Sequence, residues 1–239
     1  MYETLGYEEK GDVAFVTIRR AKINVKQLRE LERVCDHLED ASTARIVVLR
    51  GHSDGIDFAE FDPREPLDIH GFNKWEKLVG RIERLRQATI AVVDGDCIGG
   101  GFQIVLACDV RVCTPKVHFS LPEVKLGFLP GMATWRLARY VGLGHAKRIV
   151  LTGAPVGAEE ALRLGLVDRV SADLPTALAE ALASLAPTHT VAISLARRLL
   201  LESPETCYED ALGNFLAAQH RAISQTAFLD TLKKEHPPR

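Results

Sequence analysis

Two short stretches hold the residues whose types and spacing suit chemistry. In the first, Asp94-Gly-Asp-Cys-Ile-Gly-Gly-Gly-Phe-Gln103, three consecutive glycines follow an apolar β-branched run and precede an apolar helical one. Glycine costs backbone entropy in any regular element, so Gly99, Gly100 and Gly101 need a reason. Either something packs against bare backbone there, or N–H groups at a helix start face outward to bind an anion or a developing oxyanion. The second stretch, Ser120-Leu-Pro-Glu-Val-Lys-Leu-Gly127, places Glu123 among Phe119, Leu121, Val124 and Leu126. Apolar surroundings raise a carboxyl's pKa and suit it to general acid–base work. The plainer reading of Glu123 is a charge in the first turn of a helix entered through Pro122.

The elements that must position these residues follow from periodicity. Apolar, β-branched runs predict strands over 13–18, 45–50, 89–93, 110–113, 117–120 and 166–170. Helical spacing predicts helices over 25–40, 72–86, 102–108, 132–141, 145–151, 158–164, 174–185, 189–202 and 205–234. An acidic loop rich in Gly, Asp and Pro separates the second strand from the second helix, over 51–66. Strand-then-helix units fill the first two-thirds and helices alone follow, which is an α/β core with an all-α tail.

Bulk properties narrow the function classes. At 239 residues with 46% hydrophobic content, the chain can bury a substantial core. A formal net charge of −2 gives no reason to expect a nucleic-acid or membrane surface. The five cysteines, Cys35, Cys97, Cys108, Cys113 and Cys207, show no Cys-x-x-Cys spacing. Neither a disulfide framework nor a metal site is indicated, and they read as small core residues of a reducing compartment. The start of the chain lacks a basic-then-apolar signal pattern, so the expected location is the cytoplasm. The glycines do not follow the spaced dinucleotide-binding pattern. Asp109 reads as structural, capping or pairing near Arg111. His118 reads as core or interface, and Lys74 and His220 as surface or packing residues.

The chain resembles the crotonase (enoyl-CoA hydratase/isomerase) superfamily. The matching segments are Ile90-Ala-Val-Val-Asp-Gly95, Gly99-Gly-Gly101, Ala107-Cys-Asp109, Phe119-Ser-Leu-Pro-Glu-Val-Lys-Leu-Gly127, Pro130-Gly131, Val141-Gly-Leu-Gly-His-Ala-Lys147, Leu151-Thr-Gly153 and Glu160-Ala-Leu-Arg-Leu-Gly-Leu166. They run in register over roughly 12–171. The resemblance implies a spiral of ββα units over 1–171 and a C-terminal helical region over 172–239 that packs subunits into trimers or hexamers. It also implies a substrate that is an acyl thioester of CoA or a carrier protein, with no separate cofactor.

In such enzymes two backbone N–H groups hold the thioester carbonyl as it becomes an enolate. By match one donor is the N–H of Gly100. Aligning His52-Ser-Asp-Gly-Ile-Asp-Phe58 with the family's Phe-x-Ala-Gly-x-Asp-Leu pattern makes the other the N–H of Asp54, beside Gly55. A second register, through Ala59 and Asp62, is the alternative. Gly99, Gln103, Asp57, Trp75, Pro130 and Gly131 are expected around the substrate.

The family's hydratases use two glutamates. The first falls at Gln103, which cannot take a proton at neutral pH; the second is Glu123. A lone Glu123 points to double-bond isomerisation, or to loss of water from a 3-hydroxyacyl thioester, more than to the two-carboxylate hydratase mechanism. The stretch 127–137 is one residue shorter than the common family form. It resembles crotonase-like dehydratases that act on carrier-bound intermediates in polyketide β-branching. The rival is a catalytically silent protein of this fold that binds an acyl thioester or supports a partner.

Overall fold

The computed structural model describes residues 2–51, 53–57, 69–186 and 188–235. Strands β1 (Leu5–Lys10) and β2 (Val13–Ile18) form an antiparallel hairpin that turns at Gly11, where φ is +62°. The sequence reading missed β1 because Gly6-Tyr-Glu-Glu-Lys10 carries polar residues towards solvent and no clean alternation. β2 continues into a parallel sheet with β3 (Ile46–Arg50), β5 (Ala88–Val93), β7 (Val110–Cys113) and β10 (Arg169–Val170). β5 is buried along its whole length, as expected of a strand covered on both faces.

Alternation divides that sheet's side chains between two cores. Val47, Leu49, Ala91 and Val93 face the larger one, with helices α1 (Val25–Asp40) and α2 (Ile69–Arg84). Ile46, Val48, Ile90, Val92 and Val112 face the smaller one, against Ala177 and Leu178 of α6 (Leu174–Leu185). α1 is capped by Asn24, whose side chain accepts from the Gln27 N–H.

A second sheet, made of very short strands, positions the chemistry. Its order is β4 (Ser53–Asp54), β6 (Cys97–Ile98), β8 (His118–Ser120) and β9 (Val156–Gly157), with the first three parallel. Three chains therefore leave the same edge together. β4 runs into Gly55 and Ile56, and β6 into Gly99 and α3 (Gly100–Leu106). β8 runs into a 3-10 turn, Pro122–Leu126, that contains Glu123. The carboxyl ends of neighbouring parallel strands are where sites assemble in α/β proteins.

The helices predicted over 132–141 and 145–151 run on as α4 (Ala133–Thr152), kinked at Gly142. The chain continues through α5 (Ala158–Arg163) to β10, α6 and α7 (Thr190–Glu202). The helix expected over 205–234 is instead two, α8 (Tyr208–Ile223) and α9 (Thr226–Glu235). The break follows Ser224, the C-cap of α8: its N–H still makes the helical bond to the His220 carbonyl, joined by its hydroxyl, but the next N–H, of Gln225, turns to the Ala222 carbonyl one residue nearer. None of α7, α8 or α9 contains a buried residue, although α8 and α9 carry Phe215, Leu216, Phe228 and Leu229.

Candidate active site

Glu123 enters its turn through Pro122 and leaves it at Gly127, which adopts φ +85°. Leu121 and Phe119 beside it are fully buried, and Glu123 itself is 4% exposed. Its Oε2 is sealed from solvent and has no hydrogen-bond partner among the described residues. Burial, opposed only by its own backbone N–H, pushes the carboxyl above the ordinary 4.5.

The triple glycine is explained position by position. Gly99 has φ +57° and caps α3, and a Cβ there would stand 2.5 Å from Glu123 Oε1. Gly100 faces the ring of Trp75, whose Cζ2 would lie 3.0 Å from an added Cβ, and Ile23 at 2.9 Å. At Gly101 an added Cβ would fall 2.1 Å from that of Ser53. Close packing and outward-facing donors are thus both present, because the Gly100 N–H, first in α3, has no acceptor among the described residues.

The N–H groups expected to supply the second donor are engaged within the chain. The Asp54 N–H donates to the Ala21 carbonyl at 3.0 Å, because 53–57 lies alongside 21–23. The Gly55 N–H is turned to Ser53 Oγ at 3.2 Å, and the Asp57 N–H donates to the Ile23 carbonyl at 2.8 Å. Neither Asp54 nor Gly55 has a donor to offer. The Ile56 N–H has no acceptor among the described residues, since the bridge to Ile23 uses the groups on either side of it. Extending the β4–β6 register, Ser53 with Cys97 and Asp54 with Ile98, sets Gly55 beside Gly99 and Ile56 beside Gly100. The 3.8 Å between Gly55 Cα and a Cβ added at Gly99 agrees with that register. The alternative through Ala59 and Asp62 lies outside the described residues.

Gln103 is buried one turn along α3 from Gly99 and Gly100, with Arg136 Nη1 donating to its Oε1 at 3.4 Å. Pro130 is buried, and Gly131, at φ +50°, faces Gln103 Nε2 and Glu76 Oε1. Asp57 is buried in an ion pair with Arg20, so its carboxylate holds the loop. Sequence reasoning missed Glu76, Glu83 and Arg136. The last lies in the shortened 127–137 stretch, and with Arg139 one turn on along α4, its charge did not single it out.

Other residues fall away from this cluster. His118 is exposed and pairs with Asp96, contrary to the core expectation, because its side chain points away from the buried face of β8. Asp109 accepts from the Thr89 N–H and pairs with Arg197, while Arg111 pairs with Asp168. Lys74 and His220 are exposed. Four cysteines are buried and Cys207 is exposed, at the start of α8. Among the described residues no three His, Cys, Asp or Glu side chains converge as a metal site. A cavity of about 530 Å³ beneath the C-terminal helices, lined by Arg45, His189 and Phe228 among others, contains no part of the cluster around Glu123.

Known proteins show the same plan. The family model for enoyl-CoA hydratase/isomerase matches residues 8–236. An enoyl-CoA-hydratase of Amycolatopsis orientalis is 38% identical over 203 residues, covering 84% of this chain and 90% of its own. A short-chain-enoyl-CoA hydratase of Clostridium acetobutylicum is 31% identical over 248 residues, covering 95% of both. The crystal structure of an enoyl-CoA hydratase from Bacillus anthracis superposes with a TM-score of 0.89 at 25% identity, over 99% of this chain and 98% of that one. With its paired α/β sheets, its C-terminal helices and this match along nearly its whole length, the chain belongs to the enoyl-CoA hydratase/isomerase (crotonase) family of enzymes.

Proposed function

We propose that this enzyme acts on an enoyl or 3-hydroxyacyl thioester, of CoA or of a carrier protein, with Glu123 as its single acid–base group. The thioester oxygen accepts from the N–H groups of Gly100 and Ile56, both without other acceptors among the described residues and adjacent in register. Donors fixed before the reaction favour the enolate over the neutral carbonyl, which lowers the barrier. Glu123 removes the proton at C2. In dehydration it then gives that proton to the departing C3 hydroxyl, and water leaves. In isomerisation it returns the proton at C4 instead. Gln103 cannot supply the second acid–base group of a two-carboxylate hydratase, which favours these two outcomes.

The observation that carries this reading is Glu123 itself, a buried carboxylate with Oε1 beside Gly99 and Oε2 unbonded among the described residues. The relatives' names support CoA thioesters as the substrate class. Exposed apolar residues on α8 and α9 support a trimer or hexamer, and the unpaired cysteines support a reducing, cytoplasmic setting.

A mass-spectrometric panel of enoyl and 3-hydroxyacyl thioesters, on CoA and on carrier protein, tests the assignment. Wild type turns over at least one class, and Glu123→Gln lowers kcat by about 10²–10⁴-fold while remaining folded. Equal turnover by the variant would sink the role of Glu123. Binding without turnover on any thioester would favour a silent protein. For the oxyanion site, Ile56→Pro deletes the proposed donor and spares both hydrogen bonds of the bridge to Ile23. Its kcat should fall by about 10²–10³-fold, and an unchanged kcat would remove Ile56 from the mechanism.

A further inference from the structure

Gly100 and Ile56 both lie against one short segment, 20–24. The Ile23 side chain packs beside Gly100. The Ile23 main chain holds the other donor: its N–H donates to the Gly55 carbonyl at 2.9 Å, and its carbonyl accepts from the Asp57 N–H at 2.8 Å. In a trans peptide the C=O and N–H point in opposite directions. The bond to the Gly55 carbonyl therefore turns the Ile56 N–H away from 20–24, towards the chain of Gly99 and Gly100.

A shift of register produces this direction. The Asp54 N–H bonds to the Ala21 carbonyl and the Asp57 N–H to that of Ile23, so 54–57 advances three residues while 21–23 advances two. The extra residue makes a bulge at Gly55, whose φ of +92° suits glycine. Without it Ile23 would pair with Gly55, and the Ile56 N–H would be used up on the Ile23 carbonyl.

Segment 20–24 is itself tied at both ends. Gln27, a fully buried side chain, donates from Nε2 to the Arg20 carbonyl at 3.2 Å. Asn24 Oδ1 accepts from the Gln27 N–H at 2.8 Å. The half-exposed Arg20 guanidinium pairs with the largely buried Asp57 carboxylate. An ion pair this open to water adds little to stability. It sits one residue after the proposed donor, where it bears on that donor's direction.

We propose that Arg20 and Gln27 are positioning residues for the oxyanion site: they hold segment 20–24 so that the Gly55 bulge presents the Ile56 N–H to the thioester oxygen. Arg20 acts through Asp57, and Gln27 through the main chain that leads to Ile23. The proposal rests on the thioester reading above.

Infrared difference spectroscopy of a butanoyl thioester labelled with ¹³C at its carbonyl, on CoA and on carrier protein, reads the donors directly. The saturated chain has no double bond or hydroxyl to react. Hydrogen bonds to the oxygen weaken the C=O bond, so the wild-type complex should absorb at lower wavenumber than the free thioester. Arg20→Met and Gln27→Leu should move the band part of the way back, and Arg20→Lys should keep it near the wild-type position. On the thioester turned over in the panel above, Arg20→Met should lower kcat by about 10- to 10²-fold with KM little changed. If Gln27→Leu fails to fold, Arg20→Met decides alone. A band unmoved in Arg20→Met, even with a raised KM, would overturn the proposal and leave the thioester reading standing. A wild-type complex with an unshifted band, or no complex on either carrier, would overturn both.

Discussion

Glu123 is a buried carboxylate and Glu83 a largely buried one, its side chain 10% exposed, and they sit in opposite circumstances. Glu83 shares its Oε2 with two nitrogens of Arg136 and is held by the ion pair. Glu123 has one oxygen where a side chain at Gly99 would stand and the other with no partner among the described residues. A buried charge without compensation is costly, and proteins keep one where its proton has work to do. The compensated cluster shapes the wall and orients Gln103. The uncompensated carboxylate is left free to exchange a proton.

That contrast can be broken from either side. The largest effect on stability is expected at the paired side. Arg136→Met would strand Glu76 and Glu83 without their counter-charge and cost about 3–5 kcal/mol in chemical denaturation. A loss below about 1 kcal/mol would mean that the two glutamates do not depend on it. At the unpaired side the sign reverses. Burial raises the Glu123 pKa in the folded state, so wild type is fully stable, with respect to this group, below the ordinary 4.5 and loses stability as pH rises through the raised value. Glu123→Gln lacks that loss. Its melting temperature relative to wild type should therefore climb across that window and level off above it. A difference that shrinks with rising pH would contradict the burial argument.

The two sides also differ in how far the sequence revealed them. Glu123, Gly99 and Gly100 stood out through a proline turn and a glycine run, both local signals. α1, β7 and α6 were read to their ends from periodicity alone. That the Asp54 N–H is engaged was not legible, because β4 and β6 are two residues each, too short for any periodic pattern. Only the long-range register between them singles out Ile56. The Arg136 cluster draws on α2, α3 and α4 and has no contiguous motif. The break between α8 and α9 is a change of hydrogen-bond pattern at one residue, Gln225, which a window average does not register.

The central claim is that Glu123 is a buried, uncompensated acid. It is tested most directly by titrating the side-chain carboxyl in ¹³C-glutamate-labelled protein by NMR, with the resonance assigned by its loss in Glu123→Gln. The structure predicts a midpoint displaced above 4.5. A midpoint at or below that value would show that a partner stabilises the charged form and would contradict the account.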